Sequence, residues 1–354
     1  MPRLLFAIPG NLATLTGGYG YDRRVLAELP AQGVETVHVA LPGSFPLPSA
    51  HDIADARAAI VAALRPGDVV LVDGLALGAM GAALADLPAP IIELCHHPLA
   101  LEAGLSSDDA ERLAASERAA LAACAHVIVP SPDTAATLVR DFGVLREKIT
   151  IALPGTDPEP QARGSGGIGP VRLLAIGSIV PRKAFDLLVE ALATCTDLDW
   201  QLALVGSPDR APDHSARLRE RIAARGLGGK IELAGEIAQQ SLEAIWHRSD
   251  VFVSSSLYEG YGMALAEALA RGLPVVTTTG GAAADTVPDG AGAKVPPGDV
   301  AALAAALRSV IADADLRARL AAGARAAGDA LPRWCDTAAC IAGVVRRLAG
   351  GTGR

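Results

Sequence analysis

The sequence is poor in aromatic residues and contains no long apolar run, and both shortages exclude classes of protein. Aromatic side chains make up 3% of the 354 residues, whereas Ala and Gly are abundant and 51% of the chain is apolar. This balance is typical of many helices packed over buried strands and excludes a disordered chain. No apolar run reaches the roughly 18 residues of a membrane span. The length suffices for two hydrophobic cores.

Cysteine and lysine are also scarce. The five cysteines include no Cys-x-x-Cys pair, which predicts reduced, partly buried thiols. The segment Met1–Gly10 reads as a buried strand and is too short for a signal peptide, so we expect a cytoplasmic protein. Only four lysines occur, and the net charge is −8. An acidic chain of this kind argues against a nucleic-acid partner.

Short apolar runs alternate with amphipathic stretches, which predicts βαβ units and doubly wound parallel sheets. In the first half the predicted strands are Leu4–Ile8, Val34–Ala40, Val69–Val72, Pro90–Leu94 and His126–Val129. The predicted helices there are Tyr21–Leu29, Ala54–Leu64, Leu75–Ala85, Asp108–Ala123 and Pro132–Phe142. The stretch Gly155–Pro170 is rich in Gly and Pro and is predicted to be a linker.

The alternation restarts after this stretch. Strands are predicted at Val171–Ile176, Trp200–Val205, Ile231–Leu233, Val251–Ser254 and Pro274–Thr278. Helices are predicted at Phe185–Ala193, Ser215–Arg225, Ser241–His247, Gly262–Ala270 and Asp299–Ile311. We therefore expect two Rossmann-like domains that face each other across a cleft, with ligands bound beyond the carboxyl ends of the strands.

The segment 254–274 carries the strongest chemical pattern. A buried strand ends at Ser254, and a glycine-rich loop leads into a helix, so the N–H groups of Gly260–Gly262 form a candidate anion site. Glu259 lies on this loop, and Glu267 lies eight residues later in a mostly buried helix. A solvated loop carboxylate and a helix-face charge are the ordinary alternatives. A buried carboxylate needs a partner, however, and a ribose diol would supply one.

A pair of cations follows the first strand of the second half. Arg182 and Lys183 are expected at the carboxyl end of that strand, just before a helix begins. Two positive charges at this position suit a diphosphate, although an arbitrary Arg-Lys pair often faces solvent.

Two loops of the first half carry weaker signals. The loop Asn11–Gly20 contains three glycines but does not spell G-x-G-x-x-G, because Arg23 occupies the position of the last glycine. Such a loop still lets backbone amides approach a phosphate or a sugar. His96 follows the strand Pro90–Leu94, where it could donate hydrogen bonds or move protons, or simply belong to a hydrogen-bonded surface loop. A metal site would need further ligands, and none is visible nearby.

Together these segments resemble glycosyltransferase family 4, the retaining group 1 enzymes with the GT-B fold. The strongest part is the E-x7-E segment, Glu259–Glu267, and Gly177–Asp186 resembles the phosphate-binding G-S-x-x-x-R-K-G-x-D. Gly17–Gly18 resembles the N-terminal Gly-Gly loop. The tail Trp334–Leu348 is similar to the final helix that crosses back to the first domain. The resemblance thus implies an acceptor-side domain of residues 1–155 plus 334–354 and a donor-binding domain of residues 156–333.

The resemblance also implies roles for single residues. Arg182 and Lys183 would stabilise the leaving diphosphate, and Glu259 would contact the donor sugar near its reacting carbon. Glu267 would hold the ribose hydroxyls, and His96 would reach the donor sugar or the acceptor. The other residues expected around the donor are Gly18, Gly177, Gly206, Gly260, Tyr261, Gly262, Gly280, Gly281 and Ala282, the last three through their backbone amides.

The sequence departs from the family pattern in two places and contains one misleading motif. Ala184 replaces the glycine after Arg-Lys, and 281–287 reads GAAADTV where G-x-I-P-E/D-x-V is expected. Asp197-Leu198-Asp199 imitates the D-x-D metal motif of another transferase fold. It lies between a helix and the amino end of a strand, away from the expected cleft, so we infer no metal.

The resemblance implies an enzyme that moves a glycosyl group from a UDP- or GDP-linked sugar to an acceptor hydroxyl with retention of configuration and without a cofactor. Met1–Thr150 holds ten Lys and Arg against seventeen Asp and Glu and no basic amphipathic helix. A soluble acceptor is therefore expected rather than a membrane surface. Three alternatives remain, namely a sugar-nucleotide epimerase, a phosphorylase of the same fold and a non-catalytic nucleotide-sugar-binding protein. The intact glutamates and the Arg-Lys pair argue against the last. The sequence identifies neither base, sugar, acceptor nor oligomeric state.

Overall fold

The buried apolar runs become strands of two parallel sheets in the computed structural model, which describes residues 1–351. Parallel strands are covered on both faces, and this is why they read as continuous apolar runs. The strands are β1 (Arg3–Pro9), β2 (Glu35–Leu41), β3 (Val69–Asp73), β4 (Ile91–Leu94), β5 (His126–Val129), β6 (Ile149–Ile151), β7 (Val171–Ile176), β8 (Trp200–Val205), β9 (Ile231–Gly235), β10 (Val251–Ser254), β11 (Val275–Thr278) and β12 (Gly292–Val295).

Several helices begin at polar side chains that accept hydrogen bonds from free backbone N–H groups. Ser49 and Asp52 form a reciprocal capping box, and Asp299 and Asp313 cap two later helices. The helices are α1 (Gly17–Glu28), α2 (Ala50–Ala63), α3 (Gly74–Met80), α4 (Ser107–Ala123), α5 (Pro132–Phe142), α6 (Phe185–Ala193), α7 (Pro212–Ala224), α8 (Gln239–Arg248), α9 (Met263–Ala270), α10 (Ala283–Thr286), α11 (Val300–Ala312), α12 (Ala314–Asp329) and α13 (Trp334–Gly351).

The first unit contains the chain up to Gly155 and the chain from Pro332 onward. Its six strands lie in the order β2-β1-β3-β4-β5-β6, all parallel, and Leu4–Ile8 of β1 are fully buried. Because the strands are parallel, the segments after β1, β3 and β4 emerge at one edge of this sheet. Gly18 and His96 lie on two of these segments, and Asp73 is the last residue of β3.

The last helix, α13, packs on this first unit. The ring of Trp334 makes an edge contact with the Tyr21 ring at 5.7 Å and lies under the guanidinium of Arg24 at 5.2 Å. Thr337 Oγ1 donates a hydrogen bond to the carbonyl of Leu153 at 2.7 Å. The chain therefore returns to its first unit at the end, as the sequence predicts.

The second unit comprises Thr156–Leu331. Its strands lie in the order β12-β11-β10-β7-β8-β9, again all parallel, so β7 and β10 are central neighbours. The loops after β7 and β10 therefore emerge side by side at the carboxyl edge of the sheet. The two sheets confirm the predicted pair of Rossmann-like domains.

The predicted linker, Gly155–Pro170, is packed against the second unit. Ala162 N donates to the carbonyl of Arg271 at 2.9 Å, and Arg163 N donates to the carbonyl of His247 at 2.8 Å. The Gly and Pro content produced an irregular backbone, as expected, but backbone hydrogen bonds fix that backbone to the sheet unit.

The sequence did not predict β6, β12 or α12. Both strands lie at sheet edges; β6 has only three residues, and β12 reads GAKV, so neither gives a clear apolar run. The helix α3 ends at Met80, whereas the sequence predicts an end at Ala85. The residues directly after Met80 form turns. No helix among the described residues is long and apolar enough to cross a membrane.

Candidate functional site

Three predicted site residues meet at the carboxyl edge of the second sheet. Lys183 Nζ donates to Glu259 Oε1 at 2.6 Å, and Arg182 Nη1 lies 3.7 Å from Glu259 Oε2. Ser256, which the sequence reasoning missed, donates to the same Oε1 at 2.6 Å. Burial alone would raise the pKa of Glu259, but the two cations and the hydrogen bonds outweigh it and hold that pKa below its usual value. The site is thus a buried carboxylate neutralised by two cations.

The cations are positioned by a one-turn 3-10 helix, Pro181–Lys183, that follows β7. Gly177 and Gly206 end the neighbouring strands β7 and β8, and their backbones touch. A Cβ on Gly206 would lie 1.9 Å from the carbonyl oxygen of Gly177, and a Cβ on Gly177 would lie 2.9 Å from Lys183 Cε. Gly206 therefore has to be glycine for the two backbones to approach this closely, whereas a Cβ at Gly177 would require the Lys183 side chain to shift.

The segment that follows β11 is tied to the loop of Glu259. Glu259 N donates to the carbonyl of Gly280 at 3.2 Å, and Ala282 N donates to the carbonyl of Glu259 at 2.9 Å. Gly281 pairs with Glu259 as an isolated bridge. The amide of Ala282 therefore already donates a hydrogen bond, whereas the family resemblance predicts that it binds the donor sugar. The segment instead holds Glu259 in place.

The loop Gly260–Gly262 leads into α9, as the sequence predicts. Tyr261 is buried, and burial raises its pKa to about 12. Its carbonyl accepts a hydrogen bond from Thr286 Oγ1 at 2.6 Å. This contact anchors the loop to the short helix α10.

Glu267 lies apart from this cluster, on α9. Its half-buried carboxylate makes no hydrogen bond with any residue that the structure describes. Burial raises its pKa to about 7, although the charge of Arg271 opposes this shift. Arg271 itself is paired with Glu159 at 3.2 Å and Glu243 at 2.8 Å. A carboxylate in this state is available to a ligand that donates hydrogen bonds.

The first unit places Gly18 and His96 side by side. A Cβ on Gly18, in the first turn of α1, would lie 3.4 Å from His96 Cδ2. The Tyr21 ring meets the imidazole edge-on at 5.1 Å. The His96 side chain is 22% exposed, and burial lowers its pKa, with the charge of Asp73 acting in the opposite direction. A neutral imidazole therefore reaches the surface beside the glycine loop.

Two aspartates that lie close to His96 were not identified from the sequence. Asp22 Oδ1 lies 3.0 Å from His96 Nε2, and Asp73 is the last residue of β3 and caps α3. The candidate ligand atoms of Asp22, Asp73 and His96 lie within 4.8 Å of one another, close enough to surround a small cation. Burial raises the pKa of Asp22 to about 7 and that of Asp73 well above its usual value. The position of Asp73 directly after a predicted strand could have identified it from the sequence as a candidate site residue.

A second buried group, Glu93, Cys95 and Glu117, lies deeper in the same unit. Glu117 accepts hydrogen bonds from the backbone of Leu99 at 2.8 Å and Ala100 at 3.4 Å. Burial raises the pKa of Glu93 well above its usual value. All three side chains are buried. Contact with a substrate is therefore not expected for this group.

Comparison with known families accounts for most of the chain. Residues 15–160 match the model described as Glycosyltransferase Family 4, and residues 162–327 match the model described as Glycosyl transferases group 1. The mannosylfructose-phosphate synthase of Agrobacterium fabrum is 30% identical over 174 residues, which are 45% of this chain and 38% of that protein. The first curated relatives are matched over 38% to 50% of their own lengths.

Solved structures resemble the whole chain. The sucrose-phosphate synthase of Thermosynechococcus elongatus has a TM-score of 0.82 and 21% identity, covering 99% of this chain and 100% of that one. HepE of Anabaena in complex with UDP-glucose has a TM-score of 0.79 and 18% identity, covering 98% of this chain and 100% of that one. At these identities the likeness establishes the fold.

Proposed function

Since the chain belongs to the group 1 glycosyltransferases of family 4, we propose that it transfers a sugar from a nucleoside diphosphate donor to an acceptor hydroxyl. The observation that carries this proposal is the cluster of Arg182, Lys183 and Glu259 at the carboxyl edge of the second sheet. Two cations there match the charge that develops on a departing diphosphate. The carboxylate of Glu259 beside them would stabilise the positive charge that develops on the reacting sugar.

Lys183 would donate hydrogen bonds to the Glu259 carboxylate and to the diphosphate at the same time. An ammonium group has three N–H donors, and Glu259 takes one of them in the structure. A diphosphate oxygen would accept another, so the ion pair would hold Lys183 ready for the leaving group. Preorganised donors of this kind stabilise a transition state because they do not have to reorient during the reaction.

Glu267 completes the donor site by binding the ribose. Its carboxylate is half-buried and has no hydrogen-bond partner among the described residues. Two neighbouring ribose hydroxyls would donate to its two oxygens. This contact would restore the solvation that the carboxylate loses in its buried position.

The donor is proposed to be a UDP- or GDP-linked sugar that reacts with retention of configuration. HepE, which shares the fold, has been solved with UDP-glucose. Glu259 is tied to two cations and is therefore a poor covalent nucleophile. We therefore propose front-face attack by the acceptor, with the diphosphate helping to remove its proton.

Three further properties belong to the proposal. The reaction needs no metal, because the two cations supply the positive charge. The acceptor is soluble, because the first 150 residues carry more acidic than basic side chains. The protein is also proposed to be cytoplasmic. The proposed roles of Gly18 and His96 at the sugar or the acceptor rest on the family resemblance.

A thermal-shift screen against UDP-, GDP- and ADP-sugars tests this function. Binding raises the melting temperature according to the ratio of ligand concentration to Kd, so one base should stand out. Release of nucleoside diphosphate that requires an acceptor would support transfer. Donor turnover without any acceptor would indicate an epimerase, and dependence on inorganic phosphate would indicate a phosphorylase. Binding without any release of nucleotide would reduce the protein to a nucleotide-sugar-binding module.

A further inference from the structure

Three buried side chains with metal-binding atoms meet in the core of the first unit. Glu93 is on β4, and Cys95 directly follows that strand and continues its ladder through a hydrogen bond to the carbonyl of Ile128. Alternate positions of a strand point to the same face. Glu117 approaches from α4, and the ligand atoms of all three residues lie within 4.8 Å of one another. Glu93 and Cys95 are fully buried, and Glu117 is 1% exposed.

Glu93 is the unsatisfied member of this cluster. Both of its carboxylate oxygens are buried and have no hydrogen-bond partner among the described residues. The thiol of Cys95 lies within 4.8 Å, but a thiol is only a weak donor. Burial, followed by the charges of Glu117 and Asp73, raises the pKa of Glu93 well above its usual value. Buried carboxylates are ordinarily paired with a cation or bound to a metal ion.

A single proton would not satisfy Glu93. A protonated carboxyl group has an O–H that needs an acceptor, and its second oxygen still needs a donor. A divalent cation, in contrast, binds to both oxygens of one carboxylate and also offsets the charge of Glu117. Glu117 accepts hydrogen bonds from Leu99 N at 2.8 Å and Ala100 N at 3.4 Å, which orient its carboxylate and leave further lone pairs for a metal.

The helix α3 encloses the cluster. A Cβ on Gly74 would lie 3.3 Å from Glu93 Oε1, and a Cβ on Gly78 would lie 3.4 Å from Glu117 Oε1. These glycines are four residues apart on one face of the helix, so backbone covers the two carboxylates closely. A ligand of this cluster is therefore a single small ion that binds as the unit folds.

We propose that Glu93, Cys95 and Glu117 hold a structural Zn²⁺ ion in the first unit. Zinc binds thiolate sulfur at about 2.3 Å and carboxylate oxygen at about 2.0–2.2 Å. Both oxygens of Glu93, one oxygen of Glu117 and the sulfur of Cys95 supply four ligand atoms, and the thiol loses its proton on binding. Magnesium and calcium prefer oxygen ligands, so the sulfur favours zinc.

This inference does not depend on the proposed function. The ion belongs to the first unit, whereas Arg182, Lys183 and Glu259 belong to the second. The ion contributes to stability and has no part in the proposed transfer reaction.

The zinc content of the full-length protein tests the proposal directly. The protein is produced without a metal-binding tag in zinc-supplemented medium and washed briefly with chelator to remove ions from exposed groups. Elemental analysis should find one Zn²⁺ per chain. Refolding the metal-free protein with Zn²⁺ should raise its melting temperature by at least about 5 °C relative to refolding with chelator, because the ion binds only the folded state.

Variants with matched controls assign the ion to its ligands. Glu117→Gln should lose the zinc, whereas Glu111→Gln, an exposed position of the same helix, should retain it. Cys95→Ser should lose it, whereas Cys335→Ser, at an exposed thiol, should not.

Cobalt gives a readout that does not require any variant to fold. The wild type refolded with Co²⁺ should show a thiolate-to-cobalt charge-transfer band in the near ultraviolet, because one ligand is sulfur. The same band should appear in Cys335→Ser.

Three results would overturn the proposal. The first is a wild-type protein that holds no zinc after growth and refolding with the metal, which would mean that the carboxyl groups are neutral acids. The second is bound cobalt without a thiolate band. The third is zinc that Asp22→Asn loses and Glu93→Gln keeps, because the ion would then lie at Asp22, Asp73 and His96.

Discussion

Glu259 and Glu267 are eight residues apart, yet their surroundings give them opposite properties. Lys183, Arg182 and Ser256 surround the first and hold its pKa low. The second has no hydrogen-bond partner among the described residues, and burial raises its pKa to about 7. The pKa of Glu259 is therefore lowered, whereas Glu267 titrates near neutrality. The two should respond differently to pH and to substitution.

The affinity for nucleoside diphosphate should rise as pH increases through about 7, because ribose hydroxyls donate to ionised Glu267. Calorimetric titration of nucleoside diphosphate alone measures this. The phosphate ionises in a similar range, so Glu267→Gln is the matched control, and the difference between the two curves isolates the carboxylate. Parallel curves for the two proteins would contradict the ribose role.

The same pKa has a consequence for stability without ligand. The folded pKa of about 7 lies above the ordinary glutamate pKa of 4.5, so the folded state binds the proton more tightly. Glu267 therefore reduces stability as pH rises from about 4.5 to about 7, and the loss is complete above that range. Glu267→Gln should accordingly raise the melting temperature at alkaline pH more than at acidic pH.

Replacing Lys183 with Ala should reduce kcat/KM by the equivalent of about 2–3 kcal/mol, like the loss of one preorganised donor. Arg182→Ala should act in the same direction. Arg219→Ala, on the exposed face of α7, is the control and should retain activity. Steady-state kinetics with saturating acceptor measure this effect. A wild-type kcat/KM in both Lys183→Ala and Arg182→Ala would show that the two cations are not needed for catalysis.

At the scale of elements, the glycines that end β7 and β8 decide whether the cation loop can form. A methyl group on Gly206 would collide with the carbonyl of Gly177, and the φ of 153° at Gly206 is itself unfavourable for other residues. Gly206→Ala should therefore lower the free energy of unfolding by about 1–3 kcal/mol.

Urea unfolding of Gly206→Ala measures this effect. Gly228→Ala is the matched control, because a Cβ there meets nothing within 4 Å and its φ is not positive. If both variants were as stable as the wild type, the close contact between the two strand ends would not be required.

The strands next to the donor site were predictable because they are buried on both faces. β7, β8 and β10 have the predicted bounds, and the E-x7-E and Arg-Lys segments lie beside them. Edge strand β12 was missed because its sequence, GAKV, includes a glycine and a lysine and therefore gives no apolar run. Neither the pairing of Glu259 with Lys183 nor the amide of Ala282 donating to Glu259 was predictable. Both depend on which strands become neighbours, and a local pattern does not record this order.

At the scale of the whole molecule, the distribution of charge sets the kind of surface that the protein approaches. The first 150 residues hold ten basic and seventeen acidic side chains, a formal charge of −7. Anionic lipid attracts basic segments by about 1 kcal/mol per Lys or Arg, so this half should be repelled. An acceptor carried in an anionic bilayer is therefore not expected.

Flotation with anionic vesicles at low salt measures this directly. The protein should remain at the bottom of the gradient, since low salt leaves the repulsion unscreened. Neutral vesicles provide the control for purely apolar binding. Strong flotation with anionic vesicles, or activity that requires a lipid-linked acceptor, would contradict the proposal of a soluble acceptor.

The central claim is that the Arg182, Lys183 and Glu259 cluster supports transfer with retention of configuration. Proton NMR of the first product formed from an α-linked nucleotide sugar and its acceptor tests it most directly. The account predicts an α-linked product and one nucleoside diphosphate for each bond formed, with both strongly reduced in Lys183→Ala. A β-linked product, or equal product formation by Lys183→Ala and the wild type, would contradict it.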